Sequence, residues 1–263
     1  MTRNTRELRE NQVDLWFAYC DTLSTEMAEG RYRHMLSPDE DERYARFYRD
    51  RDRHSYLLAH VMLRRALSSY AEVPPREWTF RLGEFGKPSL DGPIDIPLQF
   101  NLSHTQGAVA CAFTKNRAIG VDIQVDPGSG RLFELAHRVF FPAEMEMLER
   151  LDGPQRDPTA TLLWTLKEAL AKAIGVGVQL PFHELCFCLP NEQPARITIG
   201  PKSIDVAHWR FACLRMRSIF CTSIAVHGSS DEPMHVRAHQ LVGSELTPVV
   251  TDLDPNAINH WDL

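Results

Sequence analysis

Residues 119–125 read Ile-Gly-Val-Asp-Ile-Gln-Val, in which β-branched apolar residues occupy every second position. Successive side chains of a strand point to opposite faces, so this pattern predicts a half-buried β-strand with one apolar face. Asp122 and Gln124 then share the opposite face with Gly120. Two oxygen-bearing side chains therefore leave one strand in the same direction.

Helices and strands follow one another in a similar order on both sides of this strand. The apolar spacing predicts helix over residues 37–70, as two helices or as one with a break, and a long helix over 159–174. Short apolar runs predict further strands at 78–80, 100–102, 108–113, 185–189, 195–199, 208–214 and 218–226. Each half therefore runs from helix to several strands.

This order predicts an α+β fold made of a pseudo-twofold pair of similar lobes, each a helix packed on a small, mostly antiparallel sheet. We expect an N-terminal lobe over residues 1–117 and a C-terminal lobe over 118–227 that carries the candidate site. The polar stretch 228–263 is expected to be a loosely ordered tail. No sequence repeat is visible, so the duplication is inferred from the order of elements alone.

The composition argues against several classes of protein. The chain has 263 residues, of which 43% are hydrophobic, and a formal net charge of -6, which disfavours nucleic acid as a partner. No apolar run approaches the roughly 18 residues of a membrane span, and the start lacks the apolar core of a signal peptide. The six cysteines show no metal-ligand spacing and are expected to be reduced thiols. We therefore expect a cytoplasmic protein without a membrane partner.

Two groups of polar residues are candidates for chemistry. Asp122 and Gln124 offer oxygen atoms, which hard cations prefer as ligands. On the 159–174 helix, a spacing of four places Trp164, Glu168 and Lys172 along one face. A solvent-exposed strand face and an ordinary Glu–Lys surface pair explain the same residues without any site. Taken alone, the two patterns favour these structural explanations.

Two shorter segments place polar groups in or beside loops. Ser103 and His104 follow a predicted strand, at a place from which a loop can reach a phosphate, and Lys87 lies in a Phe-Gly-Lys-Pro turn. A polar turn and a solvated lysine are equally good explanations of these segments.

Four blocks of sequence in fixed order carry a resemblance to a known family. They are Phe-Gly-Lys-Pro at 85–88, Asn-Leu-Ser-His at 101–104, Ile-Gly-Val-Asp-Ile at 119–123 and Trp-Thr-Leu-Lys-Glu-Ala at 164–169. The chain resembles the 4′-phosphopantetheinyl transferases of the Sfp type over about residues 37–226, and its length is similar to that of their monomeric, two-lobe class. Each block alone is weak evidence for the family, but the four blocks together are highly specific to it.

The resemblance implies transfer of the 4′-phosphopantetheine group of coenzyme A to a serine of an apo acyl or peptidyl carrier protein, with release of 3′,5′-ADP. It implies Mg²⁺, or Mn²⁺, as the cofactor, with Asp122, Glu168 and Gln124 as its ligands. It assigns catalysis to Asp122, Glu168 and Lys172, where Glu168, or a water that it orients, is the base for the serine.

The resemblance also implies contacts with coenzyme A. Ser103, His104 and Lys172 are expected at its phosphates and Lys87 near its adenosine end. The family tends to have an arginine for the 3′-phosphate where this chain has Ser55. A neighbouring cation, Arg53, or alternatively His54 or Arg51, is expected to replace that arginine.

One departure from the family pattern leaves a rival function open. Gln124 stands where the family usually has Glu, and a neutral amide is a weaker ligand for a metal ion. The chain could therefore be a degenerate, non-catalytic module that binds coenzyme A or a nucleotide. The presence of Asp122, Glu168, Lys172 and His104 argues against this alternative. A two-metal phosphohydrolase would need more carboxylates and histidines than the sequence brings together.

Overall fold

The computed structural model describes residues 5–91, 96–126, 135–189, 195–228 and 234–253. The helices in these ranges are α1 (Thr25–Tyr32), α2 (Pro38–Ala45), α3 (Asp50–Tyr70), α4 (Ala136–Val139), α5 (Pro142–Glu149) and α6 (Gly153–Ile174). The strands are β1 (Gln12–Tyr19), β2 (Thr79–Leu82), β3 (Pro88–Asp91), β4 (Leu98–Thr105), β5 (Ala108–Lys115), β6 (Ile119–Val125), β7 (Cys186–Cys188), β8 (Arg196–Ile199), β9 (Trp209–Met216), β10 (Phe220–His227), β11 (His235–Val242) and β12 (Thr247–Leu253). None of these helices has the length and apolar content needed to cross a membrane.

Two β-sheets pack face to face between two long helices. The larger sheet has the strand order β12-β11-β1-β5-β4 and the smaller one β6-β10-β9. Their strands pair antiparallel, except that β1 and β11 are parallel. One apolar core lies between α3 and the larger sheet, a second between the two sheets, and a third between α6 and the smaller sheet. The predicted α+β fold, with a helix on a small, mostly antiparallel sheet in each lobe, is confirmed.

Strand β1 is one of the elements that the sequence pattern fails to predict, together with α1, β11 and β12. It lies in the middle of the larger sheet, between β11 and β5, and all eight of its residues are buried. Because both faces of the strand are covered, the alternation of apolar and polar residues that marks a half-buried strand is missing.

The expectation of a loosely ordered tail is wrong for residues 235–253. These residues form β11, which pairs with β1, and β12, which pairs with β11 at the edge of the larger sheet. The polar sequence is misleading because His239 is fully buried. Its Nε2 lies 3.2 Å from Oδ2 of Asp14, and its ring stacks on Trp16 with centroids 4.5 Å apart. Residues 229–233 and 254–263 lie outside the described part.

The lobes are consequently not contiguous in sequence. We keep a boundary near residues 117 and 118 as a proposal, since β6 is the first strand of the smaller sheet. By their pairing, however, β11 and β12 complete the sheet of the N-terminal lobe.

The six cysteines are all free thiols. Burial raises the pKa of Cys111 well above its usual value and that of Cys213 and Cys221 to about 12. The thiolate is the nucleophilic and metal-binding form, so these three residues pack as small apolar side chains.

Gly120 allows α6 to lie directly on β6. A Cβ atom at this position would be 2.0 Å from the carbonyl oxygen of Ala169 and 2.4 Å from the backbone nitrogen of Ala173. Both atoms belong to the backbone of α6, which cannot move aside as a flexible side chain could. The side chains that flank Gly120 on β6 therefore meet those of α6 at short range.

Helix α2 begins at a capping box that also anchors α3. The Ser37 N–H donates to Glu40 Oε2 at 2.9 Å, and the Glu40 N–H donates to Ser37 Oγ at 3.3 Å. Nε of buried Arg64 donates to the same carboxylate at 2.8 Å, and His60 Nδ1 lies 2.9 Å from its other oxygen. Burial alone would raise the pKa of Glu40, but hydrogen bonds and the charges of His60 and Arg64 outweigh it and lower this pKa to about 2.

We expect Gly120→Ala to destabilise the protein, because the added methyl group must push α6 away from β6. Overpacking of this kind costs about 1–3 kcal/mol or more. The measurement is urea unfolding followed by circular dichroism. Gly30→Ala is the matched control, since a Cβ atom at Gly30 meets nothing within 4 Å. Equal stability of the two variants would show that the contact at Gly120 is not tight.

We expect acid to weaken the fold through Glu40. The folded-state pKa of about 2 lies below the ordinary value of 4.5, so the stabilisation is complete above pH 4.5 and is lost as the pH falls towards 2. This contribution is on the order of 3 kcal/mol. Between about pH 6 and about pH 3, Glu40→Gln should therefore lose roughly 2 kcal/mol less of its unfolding free energy than the wild type. The exposed Glu42→Gln control should follow the wild type, and a Glu40→Gln protein that also follows it contradicts this assignment.

Candidate active site

Asp122 is the buried centre of the candidate site, with 2% of its surface exposed. Its Oδ1 accepts hydrogen bonds from Ser103 Oγ at 2.9 Å and from Lys172 Nζ at 2.5 Å. Its Oδ2 accepts a longer one from Gln124 Nε2 at 3.3 Å. A buried carboxylate is costly without such donors. Here the donors come from β4, α6 and β6, so three elements are joined at one carboxylate.

Strand β4 is clamped to β6 by two of its side chains. The Val121 N–H donates to Asn101 Oδ1 at 2.9 Å, and the Ile123 N–H donates to Ser103 Oγ at 3.3 Å. Because β4 is the edge strand of the larger sheet and β6 that of the smaller one, these bonds connect the two sheets. The sequence reasoning missed this role of Asn101. The signal for it is the Asn-x-Ser spacing, which places both side chains on one face of a strand.

Ser103 therefore has partners other than the phosphate that the resemblance implies. Its hydroxyl donates to Asp122, accepts from the backbone of β6 and also accepts from Lys172 Nζ at 2.9 Å. With 4% of its surface exposed, Ser103 holds Asp122 and Lys172 in place.

Glu168 faces the same site from α6 and is half-buried. Burial raises its pKa, the negative charge of Asp122 raises it further, and the positive charge of Lys172 opposes the shift. Within the described residues, its carboxylate has no hydrogen-bond or ion-pair partner. A carboxylate so placed is available for a cation or a proton.

The residues present fit a magnesium ion. Asp122 and Glu168 supply two carboxylates that repel each other, and the amide oxygen of Gln124 lies on the same strand face as Asp122. Mg²⁺ commonly takes one or two protein carboxylates and completes its shell with substrate phosphates and water. In the described part of the chain, no three His, Cys, Asp or Glu side chains are arranged to hold a metal ion. The donor set therefore suits a metal that binds together with its substrate.

Lys167, the neighbour of Glu168, points away from the site. Its fully buried Nζ donates to Glu144 Oε2 at 2.6 Å and to three backbone carbonyls at 2.7–2.9 Å. The same Glu144 carboxylate accepts from the Phe187 N–H at 2.8 Å. Because successive helical residues point in different directions, the Lys-Glu pair of α6 serves two purposes. Lys167 fastens the surrounding loops, and Glu168 faces Asp122.

His104 is exposed beside the site. Desolvation by the surrounding protein lowers its pKa, the neighbouring Lys172, His60 and Arg43 lower it further, and the negative charge of Asp52 opposes the shift. The sequence reasoning missed Arg43 and His60 as neighbours of the site. The guanidinium of Arg43 lies over the ring of Tyr56, 5.8 Å from its centroid. Lys172 and Arg43 therefore lie near His104 and provide positive charge on this side of the site.

Lys87 also has partners other than those that the resemblance implies. Its Nζ donates to the backbone carbonyls of Ala173 at 2.7 Å and Ile119 at 3.0 Å. Burial lowers its pKa to about 8.

The structure does not bring the expected 3′-phosphate cation into this group. Nη2 of Arg53 donates to Asp50, and within the described residues Arg53 contacts none of the other predicted site residues. Ser55 is buried, with its Oγ 3.5 Å from Cys20 Sγ, and His54 Nε2 lies 2.9 Å from the carbonyl oxygen of Cys20. Positions 54 and 55 therefore face the interior, which leaves Arg43 as the better-placed cation of this region.

Two family profiles match the chain. Residues 28–116 match the N-terminal part of 4′-phosphopantetheinyl transferase, and residues 118–225 match the 4′-phosphopantetheinyl transferase superfamily. Together the two matches cover most of the described fold and include Asp122, Glu168 and Lys172.

Several relatives resemble the chain over most of their length. It is 33% identical to the 4′-phosphopantetheinyl transferase HetI of Nostoc sp., over 74% of this chain and 81% of that protein. It is 32% identical to the 4′-phosphopantetheinyl transferase Sfp of Bacillus subtilis, over 71% and 80%. It is 30% identical to a phosphopantetheinyl transferase of Thraustochytrium sp., over 74% and 72%. The chain therefore belongs to the 4′-phosphopantetheinyl transferase family.

Proposed function

We propose that this enzyme transfers the 4′-phosphopantetheine group of coenzyme A to a serine of an apo acyl or peptidyl carrier protein at the centre formed by Asp122, Glu168 and Lys172. The observation that carries the proposal is the pairing of a buried, triply hydrogen-bonded Asp122 with a half-buried Glu168 of raised pKa. A carboxylate perturbed in this way, as Glu168 is, is typical of catalytic sites.

Lys172 and Arg43 give the polyanionic substrate a positively charged place to bind. Both lie close enough to His104 to lower its pKa. The net charge of the whole protein is -6, so phosphate binding depends on this local group of cations rather than on overall charge. We assign Lys172 to the pyrophosphate and His104 to a neighbouring phosphate oxygen.

Asp122 and Glu168, with the amide oxygen of Gln124, are the residues that would hold Mg²⁺ or Mn²⁺. When bound, the ion withdraws charge from the pyrophosphate and stabilises the leaving 3′,5′-ADP. Lys172 forms an ion pair with the same Asp122 that would hold the metal ion. Its positive charge therefore acts on the same phosphates as the ion.

Glu168 is the residue best suited to remove the proton of the carrier serine. The serine oxygen forms a bond to the phosphorus of the phosphopantetheine group while the bond from that phosphorus to 3′,5′-ADP breaks, and the serine proton passes to Glu168. Glu168 accepts this proton directly or through a water molecule that it orients. Within the described residues its carboxylate has no other hydrogen-bond partner, so it is free to take this role.

We further propose that the enzyme acts as a monomer in the cytoplasm. One chain supplies every residue of the site, from β4, β6 and α6, so no second copy is needed to complete it. The six free thiols suit a reducing compartment. Sedimentation of the purified enzyme at working concentration tests the first point.

Asp122→Asn and Glu168→Gln should each lower the transfer rate by at least about 100-fold, because the first removes the anchoring charge and the second the base. The measurement is the intact mass of an apo carrier protein incubated with enzyme, coenzyme A and Mg²⁺, with EDTA as the metal control. The exposed Glu146→Gln is the matched variant and should retain activity. Wild-type enzyme that adds no phosphopantetheine to carriers of both the peptide and the fatty-acid type would overturn the proposed function.

Gln124→Glu should keep or raise activity at low Mg²⁺, because a carboxylate on this strand face adds charge that a divalent ion prefers over an amide. Initial rates over a Mg²⁺ titration measure the effect as a lower half-saturating concentration. Gln99→Glu, at an exposed position near the start of β4, controls for the added charge. Loss of activity in Gln124→Glu would show that the amide itself is required, for example through its hydrogen bond to Asp122.

A further inference from the structure

We infer that Lys87 is a positioning residue whose ammonium group holds the last turn of α6 against β6 rather than binding a phosphate of coenzyme A. The inference rests on the proposed function, since α6 and β6 carry the residues assigned to transfer. Lys87 reaches both elements at once, with Nζ 2.7 Å from the carbonyl oxygen of Ala173 and 3.0 Å from that of Ile119.

The contact with Ala173 satisfies a need of the helix terminus. The last carbonyls of a helix have no partner within the helix, and they carry partial negative charge. Helix α6 ends at Gly175, which has a left-handed backbone with φ +84° and donates its N–H to the carbonyl of Ala171. This cap leaves the carbonyl of Ala173 to Lys87, whose positive charge suits that end of the helix.

The turn that carries Lys87 belongs to the N-terminal lobe and is stabilised by its own backbone hydrogen bonds. The Gly83 N–H donates to the carbonyl of Lys87 at 2.9 Å, and the Gly86 N–H donates to the carbonyl of Gly83 at 3.0 Å. The hairpin of β2 and β3 is held in turn by Phe80, whose ring packs edge-on against Phe100 of β4. The side chain of Lys87 therefore connects a hairpin of the N-terminal lobe to the helix of the C-terminal lobe.

The two carbonyls lie beside the residues that form the site. Ala173 follows Lys172 in α6, and Ile119 precedes Gly120 at the start of β6. The backbone of α6 already touches β6 at Gly120. Lys87 therefore holds α6 and β6 together next to this contact, at the end of the helix. Loss of its hydrogen bonds would let the last turn of α6 move and would carry Lys172 away from Asp122.

The charge of the surroundings argues against a phosphate at Lys87. The carboxyl end of a helix repels anions, so a phosphate bound there would face the negative end of α6. Two of the three ammonium protons are already given to carbonyl oxygens in a partly desolvated place. A phosphate at Nζ would have to take these bonds away.

The test separates positioning from binding by kinetics and calorimetry on Lys87→Met. We expect kcat for carrier modification to fall by about 10-fold, because small displacements of catalytic groups have effects of at least this size. The Kd of coenzyme A, measured by isothermal titration calorimetry without carrier, should stay within about 3-fold of the wild type. Amide hydrogen exchange at residues 173–176 should become faster, while exchange at the end of α3 should not change.

Lys115→Met is the matched control, since Lys115 is a partly exposed lysine at the end of β5 that pairs with Glu10. It should leave kcat, Kd and exchange in α6 unchanged. A rise in the Kd of coenzyme A with kcat preserved, or no change in any of the three readouts, overturns the inference. The proposed function fails by a different result, namely wild-type enzyme that modifies no carrier.

A measurement on the wild-type enzyme keeps the inference testable if Lys87→Met does not fold. Reductive methylation of lysines, followed by mass spectrometry, reports the access to each amine with and without coenzyme A. We expect coenzyme A to protect Lys172 and to leave the slow labelling rate of Lys87 unchanged. Protection of Lys87 by coenzyme A to the same extent as Lys172 would overturn the inference.

Discussion

The backbone contact between α6 and β6 at Gly120 is the constraint on which the site depends. A helix usually packs on a sheet through side chains, which keep the two backbones well apart. Here the missing side chain lets the helix approach until a methyl group would overlap with it. The short side chain of Asp122 can then meet Lys172 and face Glu168 without leaving the strand. The position of the candidate site is therefore set by the missing side chain at Gly120 and by the hydrogen bonds that Ser103 and Lys172 donate to Asp122.

The sequence predicts the parts of this arrangement that have a local cause. Strand β6 spans the predicted residues 119–125, and the two helices of the 37–70 segment and the helix of the 159–174 segment are present, although α6 begins earlier, at Gly153. The features that the sequence does not predict depend on residues that are distant along the chain. Strand β1 has no alternation because other strands and helices cover both of its faces, and the role of Asn101 depends on the backbone of β6 across a sheet boundary. The Phe-Gly-Lys-Pro motif does not reveal the partners of Lys87, because they lie in the C-terminal lobe.

Buried charge is used in two different ways along one helix. Lys167 gives its protons to Glu144 and to carbonyls in a closed, fully satisfied network. Such a network costs desolvation but specifies one arrangement of the loops around the helix. Lys172 and Glu168 lie one turn apart on the neighbouring face and are only partly buried. Lys172 pairs with Asp122, whereas the carboxylate of Glu168 has no hydrogen-bond partner within the described residues. The first group stabilises the scaffold, and the second keeps the capacity to interact that a substrate and a metal ion can use.

The parallel pairing of β1 with β11 makes the two lobes unequal as folding units. The smaller sheet and α6 come from one continuous stretch of chain, so they can assemble as soon as that stretch is available. The larger sheet must wait for residues near the other end of the chain, and closing so long a loop is slow and entropically costly. During synthesis β1 emerges early, but the backbone groups along one of its edges have no partner until β11 follows. The lobe that is made first is therefore completed last, and the core between the two sheets can close only then.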